Sequence, residues 1–283
     1  MIEPKPVISR KDYFLLPESE RPKTGNCLEH GDFEIKSDTS LPIHLVMATC
    51  PKCSKLYKDY MENINKTKDE DERKKREKEM FELRMSNAGV TKRHFDKSFS
   101  NYRVETKEQE YALKSIKFFV DKVLDGECKN VIMCGSVGTG KTHLGIAALR
   151  DIIERTQKAR LGIYTVVEMI RYYRSSWSAE TSYNEQDVVN ELSNMQLLII
   201  DELGVQSGKE AEINTIFEII NNRYNNKLPT MIISNLDLNS KNENDVTVCS
   251  ILGDRMIDRL KEDGCRTLGM AWPSYRETNK NEF

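Results

Sequence analysis

The chain has 283 residues, 31% charged and 38% apolar, which suffices for one full-sized domain and a smaller one. Its 43 basic and 45 acidic side chains give a formal charge of −2, so any DNA-binding surface must be local. Charges and prolines interrupt the N-terminal residues, and no apolar run approaches the ~18 residues of a membrane span. We therefore expect a cytoplasmic protein without membrane contact, whose seven cysteines stay reduced.

The N-terminal part carries two close pairs of metal-type ligands. Residues 1–26 are proline-rich and irregular, apart from an apolar segment at residues 13–16. Cys27 and His30 follow, and after nineteen further residues come Cys50 and Cys53. Thiolates and an imidazole at this spacing favour tetrahedral Zn²⁺, and four protein ligands leave no open position, which predicts a structural zinc. The alternative is a set of unpaired cysteines, and His44 is the only rival ligand.

A charged segment separates this region from the rest of the chain. Residues 55–86 are predicted to be helical, and 66–79 are almost wholly charged, as in a solvated helix or a flexible linker. The sequence AGVTKRHFDKSFSNY then leads into a second domain. We divide the chain into a zinc-binding domain (1–54), a charged helix and linker (55–104) and an α/β domain (105–283).

Helices and apolar strands alternate from about residue 105. Strands are predicted at 130–134, 161–167, 196–200, 230–234 and 265–271. Helices are predicted at 107–124, 141–155, 167–176, 185–194, 209–225 and 249–261. Alternation of this kind, with continuous apolar strands, indicates a parallel sheet with helices on both faces.

The first predicted strand of this domain leads directly into the motif G-x4-G-K-T, and a helix follows. Backbone amides of such a loop cradle phosphate oxygens at the positive end of the helix. Lys141 is placed to reach the β- and γ-phosphates of ATP, and the Thr142 hydroxyl to bind Mg²⁺. A chance glycine-rich turn is the alternative interpretation. The predicted nucleotide-binding residues are Gly135, Ser136, Val137, Gly138, Thr139, Gly140, Lys141 and Thr142.

Polar residues end two further strands. Asp201 and Glu202 follow the run LLII, where Asp201 is predicted to hold Mg²⁺ and Glu202 to polarise the attacking water. The strand expected at 161–167 lies between the two motifs in the sequence, which is typical of the P-loop ATPases with an added central strand and a catalytic glutamate. Asn235 ends the strand at 230–234 and is predicted to reach the γ-phosphate or the water. Ordinary turn residues are the alternative at both places.

In combination, the P-loop, LLIIDELG, the strand ending in Asn235 and the closing segment ILGDRMIDRL…GCRTLGMAWPSYR resemble the DnaC/DnaI helicase-loader family of AAA+ ATPases. The resemblance covers about residues 90–276 and extends more loosely to the IstB transposition helpers. It implies an AAA+ (P-loop NTPase) fold and an ATPase that hydrolyses slowly and is stimulated by assembly or DNA. It also implies a homo-oligomer formed through the ATPase domain, and two partners, namely single-stranded DNA and a DnaB-type helicase bound by the N-terminal region.

The resemblance further implies an arginine finger in the segment 252–259. Arg255 and Arg259 lie four residues apart and share one face of a helix. Arg259 is favoured as the finger that meets a neighbouring subunit's nucleotide, with Arg255 supporting it. The alternative is a surface pair bonded to Asp254 and Asp258.

Only 24 residues follow Arg259, too few for the helical lid domain of most AAA+ proteins. We therefore expect a fold lacking a C-terminal lid, in which the neighbouring subunit covers the nucleotide. Arg266 and Arg276 both remain open as a sensor-2-like contact.

A DNA-facing helical insertion is implied at 168–177. Arg171 and Arg174 are candidates for phosphate contacts, and Tyr172, Tyr173 and Trp177 for stacking on bases. Core packing explains such an aromatic helix equally well. Residues 13–16 are a candidate apolar anchor for the helicase.

Three functions remain open: a helicase loader, a transposition helper that assembles on double-stranded target DNA, and a self-sufficient DNA motor. The zinc-type cluster favours the first over the second. The expected lack of a lid and of accessory motor domains argues against the third.

Overall fold

The computed structural model describes residues 16–35, 50–178, 181–204, 210–242 and 244–275. The chain divides into two compact units between Lys78 and Glu79. His44, Arg276 and residues 13–15 of the apolar segment lie outside the described residues. Of the helices in the described part, none is both long and apolar enough to span a membrane.

The first unit contains a short β-hairpin and most of a long helix. A 3₁₀ turn (Glu18–Glu20) precedes the antiparallel strands β1 (Thr24–Cys27) and β2 (Gly31–Glu34), in which Cys27 pairs with Gly31. Helix α1 (Pro51–Asn87) begins four residues earlier than the predicted start at 55. Proline is favoured at the first position of a helix, where its missing N–H costs nothing. Cys53 therefore lies in the first turn of α1.

Charged residues make α1 a solvated helix along most of its length. Residues 66–79 are exposed, and pairs such as Arg73–Glu77 and Glu72–Arg76 lie one turn apart on its surface. Each such pair is worth only about 0.3–0.5 kcal/mol. The last turns of α1, which belong to the second unit, are anchored by the fully buried Met85.

The second unit alternates helices and strands as predicted. After a 3₁₀ turn (Lys92–His94), it contains α2 (Lys107–Leu124), β3 (Asn130–Cys134), α3 (Lys141–Arg155), β4 (Leu161–Thr165), α4 (Val166–Ser175), α5 (Glu185–Ser193), β5 (Leu197–Leu203), α6 (Glu210–Asn225), β6 (Thr230–Ser234), α7 (Val248–Glu262) and β7 (Cys265–Gly269). The five strands form one parallel sheet in the order β4-β5-β6-β3-β7.

Four helices begin with a capping box, in which the N-cap and the third helical residue exchange hydrogen bonds. These pairs are Thr106–Gln109 for α2, Thr165–Glu168 for α4, Asn184–Asp187 for α5 and Thr247–Ser250 for α7. The starts of these four helices are therefore encoded locally.

Both faces of the sheet are covered, as the continuous apolar strands predict. In β3, Val131 and Met133 pack with α2 and α3, whereas Ile132 and Cys134 pack with α4–α7 on the opposite face. Every residue of β3 and β6 is buried. The prediction of an α/β sheet with helices on both faces is confirmed.

The sheet has the added central strand that is predicted for this branch of P-loop ATPases, but the strand predicted at 161–167 is not that strand. It is β4 (Leu161–Thr165), which lies at the edge of the sheet. The strand inserted between β3 and β5 is β6 (Thr230–Ser234). Crossover helices let consecutive strands occupy non-adjacent places, so order along the chain does not give order in the sheet.

The segment between α1 and α2, expected to be a linker, lies along α3. The guanidinium of Arg150 donates to the Phe95 carbonyl at 2.8 Å, and His143 Nε2 donates to the Ser98 carbonyl at 2.9 Å. Tyr102 is buried. This segment therefore packs on the second unit and contributes Tyr102 to its core.

Candidate functional site

The glycine-rich loop connects β3 to α3 at the carboxyl edge of the sheet. Gly138 adopts a φ of 82° that side chains rarely allow. Lys141 is buried, and its Nζ donates to the carbonyls of Gly135 and Ser136, both at 2.7 Å. Burial lowers the pKa of Lys141. The Lys141 side chain is thus folded back over the P-loop and bonds to its carbonyls. This loop is the predicted phosphate-binding site.

Thr142 and Asp201, the two predicted magnesium ligands, lie side by side. Thr142 Oγ1 donates to Asp201 Oδ2 at 2.8 Å, although 59 residues separate them in the chain. Burial raises the pKa of Asp201, whereas the hydrogen bonds from Thr142 and from the Glu202 amide lower it. A hydroxyl and a carboxylate at this distance are oxygen donors that fit Mg²⁺.

Glu202 occupies a strained backbone position next to Asp201. Its φ is 57°, in the left-handed region, and the pairing of β5 with β6 shifts register between Ile200 and Leu203. Such a conformation costs on the order of 1–3 kcal/mol in a residue with a side chain. The residue is exposed whereas Asp201 is buried, so the two adjacent carboxylates stand in different environments.

The turn after β6 is hydrogen-bonded both to the P-loop and to the end of β5, which carries Asp201 and Glu202. Ser234 Oγ donates to the Leu203 carbonyl at 2.6 Å, and the Gly135 amide donates to the Leu236 carbonyl at 3.2 Å. Asn235 lies between these contacts and is exposed. The structure thus brings Asn235 to the edge that holds the P-loop, Asp201 and Glu202.

The two finger candidates lie elsewhere, on α7. Arg259 is half-buried, donates to Asn221 Oδ1 and lies 5.5 Å from the Tyr224 ring centre, both on α6. Arg255 is exposed. Among the described residues, neither guanidinium hydrogen-bonds to the P-loop or pairs with Asp254 or Asp258. The alternative of a local salt-bridged pair is therefore not what the structure contains.

Helix α7 is broken just before the finger candidates. Gly253 has φ 72° and ψ 154° within α7, so the segment carrying Arg255 and Arg259 starts in a new direction. A β-carbon at Gly253 would meet nothing within 4 Å. Backbone conformation rather than lack of space requires glycine there.

Arg266 contacts α2. Its guanidinium donates to Ser115 Oγ at 3.2 Å and lies over the rings of Tyr111 and Phe118. Nothing in this placement favours a sensor-2-like contact.

The aromatic residues of the DNA-facing candidate pack mainly against α5. Tyr172 donates to Glu191 and Tyr173 to Glu185, each at 2.5 Å. Both tyrosines are half-buried, whereas Trp177 is exposed and also donates to Glu185. The two tyrosines thus fit the core-packing interpretation better than the stacking one.

Sequence reasoning missed several residues that surround the P-loop. Trp272 Nε1 donates to the Thr139 carbonyl at 3.0 Å, and the Tyr275 amide donates to the Gly138 carbonyl at 3.1 Å. Tyr102 OH approaches the Thr139 carbonyl at 3.5 Å. Their only signal in the sequence is their place in FSNYR and AWPSYR, which gives no role to any single residue.

The four predicted zinc ligands form one cluster in the first unit. Sγ of Cys27, Cys50 and Cys53 lie 3.6, 3.8 and 3.2 Å from His30 Nδ1, and all four donor atoms lie within 4.8 Å of one another. Tetrahedral Zn²⁺ with bonds of about 2.0–2.3 Å places its ligands roughly 3.5–3.8 Å apart. The donor set and its spacing therefore fit zinc.

The thiols of this cluster differ in their ionisation. A hydrogen bond from the Glu29 backbone lowers the pKa of Cys27 to about 6, with a further contribution from His30. Removal from water raises the pKa of Cys53 to about 12, and the neighbouring cysteines act in the same direction.

A five-stranded parallel sheet of this order, with a P-loop after one strand and acidic residues after another, defines an ATP-binding protein of the AAA+ class. Residues 46–283 match the family model of the IstB-like ATP binding proteins. The chain belongs to this IstB/DnaC family of AAA+ proteins.

Similar proteins include replicative helicase loaders. The chain is 31% identical over 189 residues to the replicative helicase loader DnaC of Escherichia coli K12, covering 67% of this chain and 73% of that protein. It is 30% identical over 200 residues to the loader DnaC of Buchnera aphidicola (subspecies Acyrthosiphon pisum), covering 70% and 77%.

Solved structures agree on the fold. A crystal structure of the DnaC helicase loader superimposes with a TM-score of 0.53 at 26% identity, covering 64% of this chain and 99% of that one. Domain III of the Thermotoga maritima replication initiation protein DnaA gives a TM-score of 0.51 at 18% identity, covering 65% and 70%. The latter likeness concerns the fold alone.

Proposed function

We propose that this protein loads a replicative DnaB-type helicase onto single-stranded DNA, acting as an ATP-switched oligomer. The observation that carries the proposal is the 31% identity to a replicative helicase loader over two thirds of the chain. The ATP-binding family and the pairing of Thr142 with Asp201 support a nucleotide-driven mechanism.

In this proposal the carboxyl edge of the sheet binds and hydrolyses ATP. Lys141 leaves the loop carbonyls and contacts the β- and γ-phosphates, while the P-loop amides hold the phosphate oxygens. Thr142 and Asp201 would hold Mg²⁺, which would supply positive charge to neutralise the phosphates. Glu202 orients and polarises the attacking water, and Asn235 contacts the γ-phosphate or that water.

Hydrolysis requires a second subunit in this proposal. Arg259 is the trans-acting finger, supported by Arg255. Among the described residues, its guanidinium contacts an amide oxygen and an aromatic ring and forms no salt bridge with a carboxylate. A guanidinium supplied in trans stabilises the charge of phosphoryl transfer and is worth about 10³–10⁵ in rate in other systems. Slow turnover by isolated subunits follows.

The N-terminal region is proposed to bind the helicase, with zinc as a structural ion held by Cys27, His30, Cys50 and Cys53. Single-stranded DNA is assigned to the surface formed by α4 and the turn after it, where Arg171 and Trp177 respectively are exposed. Arg171→Ala should weaken affinity for single-stranded DNA, measured by fluorescence anisotropy; an unchanged affinity would place the DNA elsewhere.

A second candidate function is that of a transposition helper, which the IstB-like family model favours. Both functions use the same ATPase site, so the partner distinguishes them. The purified chain should be mixed with the replicative helicase and, separately, with an IS21-type transposase, each with ATP, and complexes detected by size-exclusion chromatography.

The loader proposal predicts a complex with the helicase and none with the transposase. A variant with Cys50→Ser should lose helicase binding if the N-terminal region makes the contact, whereas Lys141→Ala should keep it. A complex with the transposase alone would replace the loader proposal by the second candidate.

A further inference from the structure

The carbonyl groups of the phosphate loop are held by donors from outside the loop. Trp272 Nε1 donates to the Thr139 carbonyl at 3.0 Å, and the Tyr275 backbone amide donates to the Gly138 carbonyl at 3.1 Å. Just before the loop, the Met270 amide donates to the Cys134 carbonyl at 2.7 Å. Residues 270–275, which we term the C-terminal strap, therefore run along the loop from its start to its last turn.

The strap lies so close that two motif glycines have no room for a side chain. A β-carbon at Gly135 would lie 2.4 Å from the Met270 carbonyl oxygen. A β-carbon at Gly138 would lie 2.0 Å from Ser274 Oγ and 2.8 Å from Ser274 Cβ. The ring of Tyr275, in turn, lies under the Arg103 guanidinium at 5.5 Å. Packing as well as hydrogen bonding thus fixes the strap against the loop.

The directions of these carbonyl groups fix the directions of the backbone amides that follow them. In a planar trans peptide, the N–H of one residue points opposite to the preceding carbonyl. A Gly138 carbonyl aimed at Tyr275 therefore directs the Thr139 amide away from the strap. The Thr139 carbonyl points at Trp272, so the Gly140 amide also points away from the strap. Within the described part of the chain, neither amide has a hydrogen-bond acceptor.

We propose that the C-terminal strap positions the phosphate loop for nucleotide by orienting the Thr139 and Gly140 amides, with Trp272 as the principal positioning residue. Lys141, which now holds the Gly135 and Ser136 carbonyls, has to leave them to reach a phosphate. The strap contacts do not compete with phosphate, so they keep the loop in its binding conformation throughout. This inference rests on the proposed nucleotide site.

Trp272→Phe is the direct test, because it keeps an aromatic ring and removes the indole N–H. The affinities of wild type and variant for ATP and for inorganic tripolyphosphate should be measured by competition against a fluorescent ATP analogue. Loss of one hydrogen bond, on the order of 1 kcal/mol, predicts about a fivefold loss for both ligands. Tyr102→Phe should lose less, because its contact with the same carbonyl is 3.5 Å long.

Tripolyphosphate distinguishes loop positioning from other roles, since it has no base or sugar. An equal fall in affinity for both ligands supports the proposal. A fall for ATP alone would assign Trp272 to the nucleoside and overturn it. A lowered melting temperature with both affinities unchanged would make the strap a purely structural element and also overturn it. Failure of wild type to bind either ligand would overturn the nucleotide site itself.

A second measurement does not depend on that variant folding. The chain has two tryptophans, so Trp177→Phe leaves Trp272 as the sole indole. Saturation with tripolyphosphate should change the Trp272 emission, because the bound anion places negative charge beside the loop peptide to which the Trp272 N–H is bonded. Unchanged emission at saturation would contradict the proposal.

Discussion

Glu202 is the residue whose backbone most clearly departs from its strand. Its φ of 57° turns the chain at the end of β5, leaving Asp201 buried beside Thr142 and Glu202 exposed next to it. Strained backbone of this kind is typical of functional sites, where the surrounding fold maintains it. This difference in exposure between the two carboxylates matches their proposed roles, in which Asp201 binds the metal and Glu202 acts on water.

Glu202→Gln should bind ATP with wild-type affinity and hydrolyse it at least ~100-fold more slowly, because the amide cannot accept the proton from water. Single-turnover hydrolysis and ATP titration measure the two quantities. Glu110→Gln, on the exposed side of α2, is the matched control and should change neither. Wild-type turnover in Glu202→Gln would remove the catalytic assignment.

The predictability of the site differs between its residues. The P-loop and Asp201-Glu202 are local motifs, so the sequence alone predicted where they lie. Trp272 contacts Thr139 across 133 residues, and no local pattern indicates such a contact. The family resemblance implied Arg259 as a finger, but its contacts with Asn221 and Tyr224 depend on how α6 and α7 pack.

At the scale of elements, the apolar strands were the most predictable. The bounds of β3, β6 and α2 are those predicted, because β-branched and apolar runs and a capping box define them locally. The strand order was not predictable in the same way, and β4 proved to be an edge strand.

A buried arginine shows another limit of sequence reasoning. Arg223 of α6 is fully buried and donates to the carbonyls of Leu192 and Met195 at 3.0 and 2.7 Å, at the end of α5. Burial lowers its pKa to about 9, which leaves it charged at neutral pH. In the sequence it looks like a surface residue of a polar helix.

The cysteine–histidine cluster ties the hairpin β1–β2 to the first turn of α1. With so small a core, we expect the metal to supply much of the folding energy of this unit. Protein purified without added metal should contain about one zinc per chain, and Cys50→Ser should lower that content and expose residues 24–35 to proteolysis. Elemental analysis and limited proteolysis measure these outcomes.

The control for this prediction is Cys128→Ser, a cysteine outside the cluster, which should keep its zinc. The melting transition of the second unit should be the same in wild type, Cys50→Ser and Cys128→Ser. Metal-free wild type with a protease-resistant hairpin would contradict the zinc prediction.

The break in α7 is the element-scale feature that aims the finger candidates. Gly253→Ala should destabilise the chain by about 1–2 kcal/mol through its φ of 72° alone, and reduce assembly-stimulated ATP hydrolysis because Arg255 and Arg259 change direction. Gly269→Ala is the matched control, since a β-carbon there also meets nothing within 4 Å but the φ is not positive.

Urea denaturation and ATPase assays at several protein concentrations check both parts of this prediction. Equal stability of Gly253→Ala and wild type would show that residue 253 does not need the positive φ that interrupts α7.

At the scale of the whole molecule, the active site is proposed to be shared between subunits. Lys141→Ala retains its finger, and Arg259→Ala retains its P-loop, so each should be inactive alone and their mixture should regain part of the ATPase activity. Steady-state hydrolysis at concentrations where the subunits co-assemble measures this. The Arg255→Ala variant in place of Arg259→Ala tests which arginine enters the neighbouring site.

Two results would contradict the shared site. One is full activity of Arg259→Ala alone, which would show that no finger is needed at this position. The other is a mixture that stays inactive although light scattering shows mixed assemblies.

The central claim is that the chain loads a helicase onto single-stranded DNA, and a covalently closed DNA circle tests it most directly. A closed helicase ring cannot pass onto a covalently closed circle of single-stranded DNA unless the ring opens, so helicase recovered with circles after a high-salt wash reports loading. We expect recovery to require both this chain and ATP, and to be lost with Lys141→Ala. Equal recovery without the chain, or none with the chain, ATP and a helicase that binds it, would contradict the account.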